Sequence, residues 1–142
     1  MSENDGIAIA LKMAKTATTT TSSIRENPSF LVNFFIFLLS IFWITKKIKI
    51  LEHSLKSDFN IPEPKIAILG INPHAGDYGV IGEEEETFLS PLVKAQHNKG
   101  IRIYGPFPAD GFFGSQSYQN FDAVLAIYHD QGLIPFKTLS FG

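Results

Sequence analysis

KIAILGI, residues 65–71, is the stretch on which the fold turns. It is a short, continuous apolar run, β-branched in part, as in a strand covered on both faces. Just before it, IPEP breaks the chain at Pro62 and Pro64. Further upstream, Ile44, Ile48, Leu51 and Leu55 recur at three- and four-residue spacing, which predicts an amphipathic helix ending near Asp58. Downstream, a helix is predicted from about Glu84 to Asn98, with glutamates in its first turn where they suit the positive helix end. Gly100 supplies a stop signal, and Pro91 is expected to kink the helix or split it. IRIYG (residues 101–105) and DAVLAIY (residues 122–128) read as two further strands. Alternating strands and helices specify an α/β fold with a mainly parallel sheet flanked by helices.

Composition narrows the function classes. A chain of 142 residues has the size of one ordinary domain. With 44% hydrophobic and 18% charged residues it is not compositionally disordered. A net charge of -2 and the lack of a basic stripe argue against a nucleic-acid partner. There is no cysteine, so thiolate chemistry is excluded and any metal must be held by His, Asp or Glu.

Three zones follow along the chain. Residues 1–29 are a polar lead containing the low-complexity TATTTTSS (residues 16–23), read as loop or disorder. Residues 30–44, FLVNFFIFLLSIFWI, are apolar except for Asn33 and Ser40, and Lys46, Lys47 and Lys49 follow. This run is shorter than the roughly 17–20 residues that a membrane-spanning helix needs. It also has its basic residues on the wrong side for a signal peptide. Three readings stay open: a membrane anchor, a buried or interface helix, or a segment foreign to the folded domain. As an anchor it would keep residues 46–142 cytoplasmic. Residues 45–142 form the α/β domain.

If the strands are parallel, their carboxyl ends line one crevice, where open α/β sheets bind ligands. NPHAGDYGVIG follows the first strand, GPFPADGFFG overlaps the end of the second, and HDQG follows the third. These segments supply His74, Asp77, Asp110, His129 and Asp130. His74 and His129 are candidate ligands of one divalent metal. Taken alone, a loop histidine after a strand is more often structural than a ligand. Asp110 reads as a helix cap, a turn residue or a site carboxylate, and Asp130 as an acid/base, a partner orienting His129, or a cap. Lys137 reads as a surface lysine or a point charge for an anionic group. The glycines at 76, 79 and 82 are spaced G-x-x-G-x-x-G, which is not the dinucleotide fingerprint. They let the chain turn or approach a ligand closely. His53 and His97 fall in helical segments and read as surface or boundary residues. No Ser-His-Asp order, P-loop or base-stacking motif is present.

LGINPHAGDYGVIGEEE, GPFPADGFFG and FDAVLAIYHDQGLIPFK resemble, in order and spacing, the 4-hydroxythreonine-4-phosphate dehydrogenase family of pyridoxal-phosphate (vitamin B6) biosynthesis. The resemblance runs from about Ile44 to the end. It implies part of an isocitrate/isopropylmalate dehydrogenase-like domain and a cytoplasmic homodimer with its site at the subunit interface. The implied reaction is NAD- or NADP-dependent oxidation of a small phosphorylated amino-acid substrate, followed by loss of carbon dioxide. The implied metal is a divalent cation (Zn, Mg or Co) held by three histidines. Carried over residue by residue, His74 and His129 are two of those ligands, Asp110 and Asp130 line the site, and Lys137 contacts substrate. The cofactor-binding residues are not identified.

Two departures shape the expectation. The family's first metal histidine lies in a Thr-His segment upstream, where this chain carries the apolar run, and no histidine precedes His53. The chain also stops at Gly142, ahead of the family's asparagine and arginine substrate contacts. An internal fragment, inactive on its own, is therefore expected. The alternative is a remnant with a partial metal site, with or without a membrane tether.

Overall fold

The computed structural model describes residues 28–141, with side chains from residue 35 onward. The reading of residues 1–27 as loop lies outside the described residues. The chain divides into two compact units, Met1–Ile44 and Thr45–Gly142.

Helix α1 spans Pro28–Ser57, so the amphipathic helix expected from Ile44 begins further upstream. In the first unit the apolar run is helical. Phe35, Ile36, Leu39, Phe42 and Trp43 are all exposed. Among the described residues, no helix is long and apolar enough to cross a membrane. In the second unit the expected stripe holds, with Ile48 and Leu55 buried. The helix ends where expected, as the Ser54 hydroxyl donates to the Asp58 carboxylate at 2.7 Å.

The second unit is built on a parallel three-stranded sheet of order β2-β1-β3. Strand β1 (Ile66–Leu69) is central and completely buried, as its unbroken apolar sequence demands. Strand β2 (Ile103–Phe107) pairs with it through Ile66–Ile103, Ala67–Tyr104 and Leu69–Phe107. This strand lies later than the expected 101–105. The Ile101 N–H is taken by the Gln96 carbonyl at the preceding helix end, so pairing starts afterwards. At the other end, the Gly70 N–H donates to Phe107 O and extends the strand.

Between β1 and β2 lies the expected helix, in two pieces. Residues Glu85–Leu89 form a π turn, in which the Ser90 N–H reaches back to Glu85 O. Helix α2 (Ser90–Asn98) follows, with Pro91 in its first turn, where a missing N–H costs nothing. Leu89, Leu92 and Val93 face the core. His97, read as a surface or boundary residue, has its Nδ1 3.2 Å from Ile103 O, and its ring meets Tyr104 edge-on.

Strand β3 (Ala123–Leu125) pairs Ala123, Val124 and Leu125 with Ile66, Ala67 and Ile68. It is shorter than the expected 122–128. The Ile127 and Tyr128 N–H groups donate to the Gln131 side chain and so leave the ladder. Helix α4 (His129–Phe141) begins directly at His129 and runs through Pro135. His129, Asp130 and Lys137 therefore sit on a helix.

Candidate functional site

Because all three strands run parallel, their carboxyl ends open onto one edge. A 3₁₀ turn, Pro73–Gly76, follows β1 and carries His74. Helix α3 (Ala109–Gly114) follows β2 and carries Asp110 in its first turn, while α4 follows β3. Asp110 is not a cap, since Pro108 holds that position. Its placement comes from aromatic packing one turn on. Phe112 stacks on Phe107 at 5.2 Å between ring centres and lies 5.7 Å from Phe121, over Ala67 and Leu69. A buried phenylalanine contributes about 1.5–3 kcal/mol, so the carboxylate is presented from a firm base.

His74 Nδ1 lies 3.4 Å from Asp110 Oδ2. Both line a cleft of about 460 Å³ together with Asn72, Tyr128 and Gln131. Asp130 lines a second cleft of about 600 Å³ that shares Asp110 and Gln131 and is walled by Phe113, Tyr118 and Ile134. The fold thus groups His74, Asp110 and Asp130. His129 and Lys137 are exposed on α4 and line neither of these two clefts.

The His74 turn is strained. His74, Ala75, Asp77 and Tyr78 all have positive φ, at 54°, 53°, 43° and 54°. At roughly 1–2 kcal/mol per left-handed residue, this costs on the order of 4–8 kcal/mol. The His74–Asp110 contact cannot offset that, because both side chains are more than half exposed and such pairs contribute about 0–1 kcal/mol. The residues leading into the turn are bound by Glu85, which is 2% exposed. Its Oε1 accepts the Ile71 and Asn72 N–H groups at 2.7 Å each, and its Oε2 accepts from Asn72 Nδ2 at 2.8 Å. Asn72 Nδ2 also donates to Glu84 Oε2 at 2.7 Å, and this bond lowers the Glu84 pKa. Gly76 has a specific reason to be glycine. Its φ is +81°, and a Cβ there would lie 2.8 Å from Glu85 Oε2. At Gly76 the close approach is thus to the protein's own carboxylate.

Gln131 ties the central strand to the third segment. Its Nε2 donates to Gly70 O at 2.8 Å, while its Oε1 accepts from Ile127 N at 3.0 Å and Tyr128 N at 3.2 Å. Sequence reading passed over Glu85 and Gln131. For Glu85 a signal existed: it shares a helical register with the buried Phe88, Leu89 and Leu92, so one of four consecutive glutamates sits on the apolar stripe. For Gln131 there was none, because its partners come from the ends of two strands.

His74 and His129 are exposed imidazoles following neighbouring strands, and their chemistry suits a divalent cation. Two such donors fall short of the three or four protein ligands of a zinc site. Among the described residues, no group of three or more His, Asp or Glu side chains is placed to hold a metal ion.

The family model described as "Pyridoxal phosphate biosynthetic protein PdxA" matches residues 38–142. A 4-hydroxythreonine-4-phosphate dehydrogenase of Bacteroides thetaiotaomicron is 53% identical over 97 residues, 68% of this chain and 27% of the relative. The crystal structure of 4-hydroxythreonine-4-phosphate dehydrogenase from Klebsiella pneumoniae superposes with a TM-score of 0.60 at 41% identity, covering 66% of this chain and 29% of that one. A terephthalate 1,2-cis-dihydrodiol dehydrogenase from Burkholderia xenovorans LB400 matches with a TM-score of 0.51 at 34% identity, over 56% of this chain and 25% of that one. The chain therefore spans little more than a quarter of the length of the relatives it matches.

Proposed function

The chain belongs to the pyridoxal phosphate biosynthetic protein PdxA family, and on that premise we propose that it supplies the sheet-edge part of a 4-hydroxythreonine-4-phosphate dehydrogenase site. The observation that carries this is the convergence of His74 and Asp110, 3.4 Å apart, with Asp130 around clefts sharing Asp110 and Gln131. The reaction would be NAD- or NADP-dependent oxidation of the substrate hydroxyl, followed by loss of carbon dioxide, in a cytoplasmic homodimer. The relatives' names support the substrate. The name of the dihydrodiol dehydrogenase adds that a hydroxyl-bearing carbon is oxidised on a related framework.

Each residue has a proposed part. Asp110 and Asp130, both exposed to the clefts, orient the substrate and move its hydroxyl proton. Lys137 meets an anionic group of the substrate as a point charge. His74 and His129 donate to a divalent cation. A bound cation would lower the hydroxyl pKa, and a nicotinamide would accept the hydride.

A chimera tests this reading. Residues 45–141 replace the matching segment of the Bacteroides thetaiotaomicron relative, and NAD(P) reduction is followed with 4-hydroxythreonine-4-phosphate. Turnover is expected, with a loss of at least 100-fold in kcat on Asp110→Asn or His129→Ala, within the range for acid/base and metal-ligand groups. A correctly folded chimera without turnover, or one indifferent to both substitutions, would overturn the assignment.

A further inference from the structure

We propose that Glu85 is a positioning residue: its buried carboxylate sets the strained turn that presents His74 to Asp110. The importance of His74 rests on the functional reading above, whereas the mechanical link from Glu85 to His74 does not. The carboxylate is 2% exposed and touches neither of the two clefts, so it does not meet a ligand there. It collects the Ile71 and Asn72 N–H groups on one oxygen and the Asn72 amide on the other. Asn72 in turn opens the 3₁₀ turn, and its carbonyl accepts the Ala75 N–H at 3.1 Å. Pro73 adds no donor of its own. One carboxylate therefore clamps the residues before the turn while His74, Ala75, Asp77 and Tyr78 hold positive φ. Cβ atoms built on Gly70 and Gly76 would lie 3.1 and 2.8 Å from Glu85 oxygens, so the loop is moulded around the carboxylate. A glutamate present only to open a helix would face solvent, as Glu83 and Glu86 do.

The substitutions separate positioning from plain stability. Glutamine at this place can accept both main-chain N–H groups through its oxygen, but its NH₂ meets the Asn72 NH₂ donor to donor. Glu85→Gln should therefore keep the fold and loosen Asn72, and Glu85→Ala should release both. In the 142-residue chain itself, His74 ring resonances report its neighbour: Asp110→Asn should shift them, and that response should be reduced in Glu85→Gln and absent in Glu85→Ala. Glu86→Gln should leave it intact. Zinc titration by calorimetry forms the second arm, with affinity expected to fall about 10–100-fold in Glu85→Ala, as for groups that orient a ligand. If the His74 response to Asp110→Asn survives unchanged in folded Glu85→Gln and Glu85→Ala, the proposal is wrong. If Glu85→Ala does not fold, Glu85→Gln alone decides, and an unchanged response there refutes it. Loss of the response with no zinc binding by the parent chain would refute a metal site held by this chain alone and leave the positioning role standing.

Discussion

Replacing Gln131 with leucine removes the connection between the first and third strand ends while nearly conserving volume. Three hydrogen bonds disappear: Nε2 to Gly70 O at 2.8 Å, and Oε1 from Ile127 N at 3.0 Å and from Tyr128 N at 3.2 Å. At about 0.5–1.5 kcal/mol net for each, the sum is roughly 1.5–4.5 kcal/mol. Gln131 is only partly buried, so water recovers some of this, and about 2 kcal/mol is expected. For a folded unit of roughly 100 residues, that corresponds to a fall of about 8–16 °C in Tm. Hydrogen exchange locates the effect. The Ile127 and Tyr128 amides should lose protection in the variant, while those of Ile66 and Ile68, within the ladder, should change only as far as global stability does. A Tm within about 2 °C of the parent, or unchanged protection at Ile127 and Tyr128, would refute the reasoning, because Gln131 Oε1 is the acceptor of both amides.

Two further outcomes follow from other buried or shared groups. Gln96 is 4% exposed and its Oε1 has no partner; Gln96→Leu should therefore raise stability by about 1 kcal/mol, seen as a higher urea midpoint, and a lower midpoint would show that the amide is satisfied after all. The Glu84 carboxyl has its pKa lowered chiefly by the Asn72 hydrogen bond, and that of Asp58 is lowered chiefly by the Ser54 hydroxyl. A folded-state pKa below the unfolded one gives stability that is present above the ordinary carboxylate range and lost as pH falls through the lowered values. The stability difference between parent and Glu84→Gln should thus be present at pH 7 and shrink as pH falls through the lowered Glu84 value in urea titrations; a difference that does not change with pH would contradict the assignment.

Much of the domain was legible in local pattern. The unbroken apolar run at residues 65–71 marked a doubly covered strand, and Ile66–Leu69 are completely buried. The spacing of Ile48 and Leu55 marked a helix face, and Pro91 marked the place where the helix changes its winding. Boundaries were less legible wherever a side chain or a helix end competes for a strand amide. The Gln96 carbonyl delays β2, and the Gln131 side chain shortens β3. Such competition depends on atoms remote in sequence or on rotamers, which residue periodicity does not encode.

The candidate site divides in the same way. Residue order by itself determined that histidines and aspartates follow parallel strands, because a parallel sheet sends the carboxyl ends of all its strands to one edge. It also carried the motifs by which the family is known. Only the tertiary structure decided which of these groups meet: His74 with Asp110 at 3.4 Å, and Asp130 across the clefts that share Asp110, with His129 and Lys137 outside both. It alone decided that Glu85, one of four consecutive glutamates, turns inward and holds a left-handed turn in place. The physical reason is that strain in one loop is offset by hydrogen bonds from another element, a balance that exists only once the two are packed together.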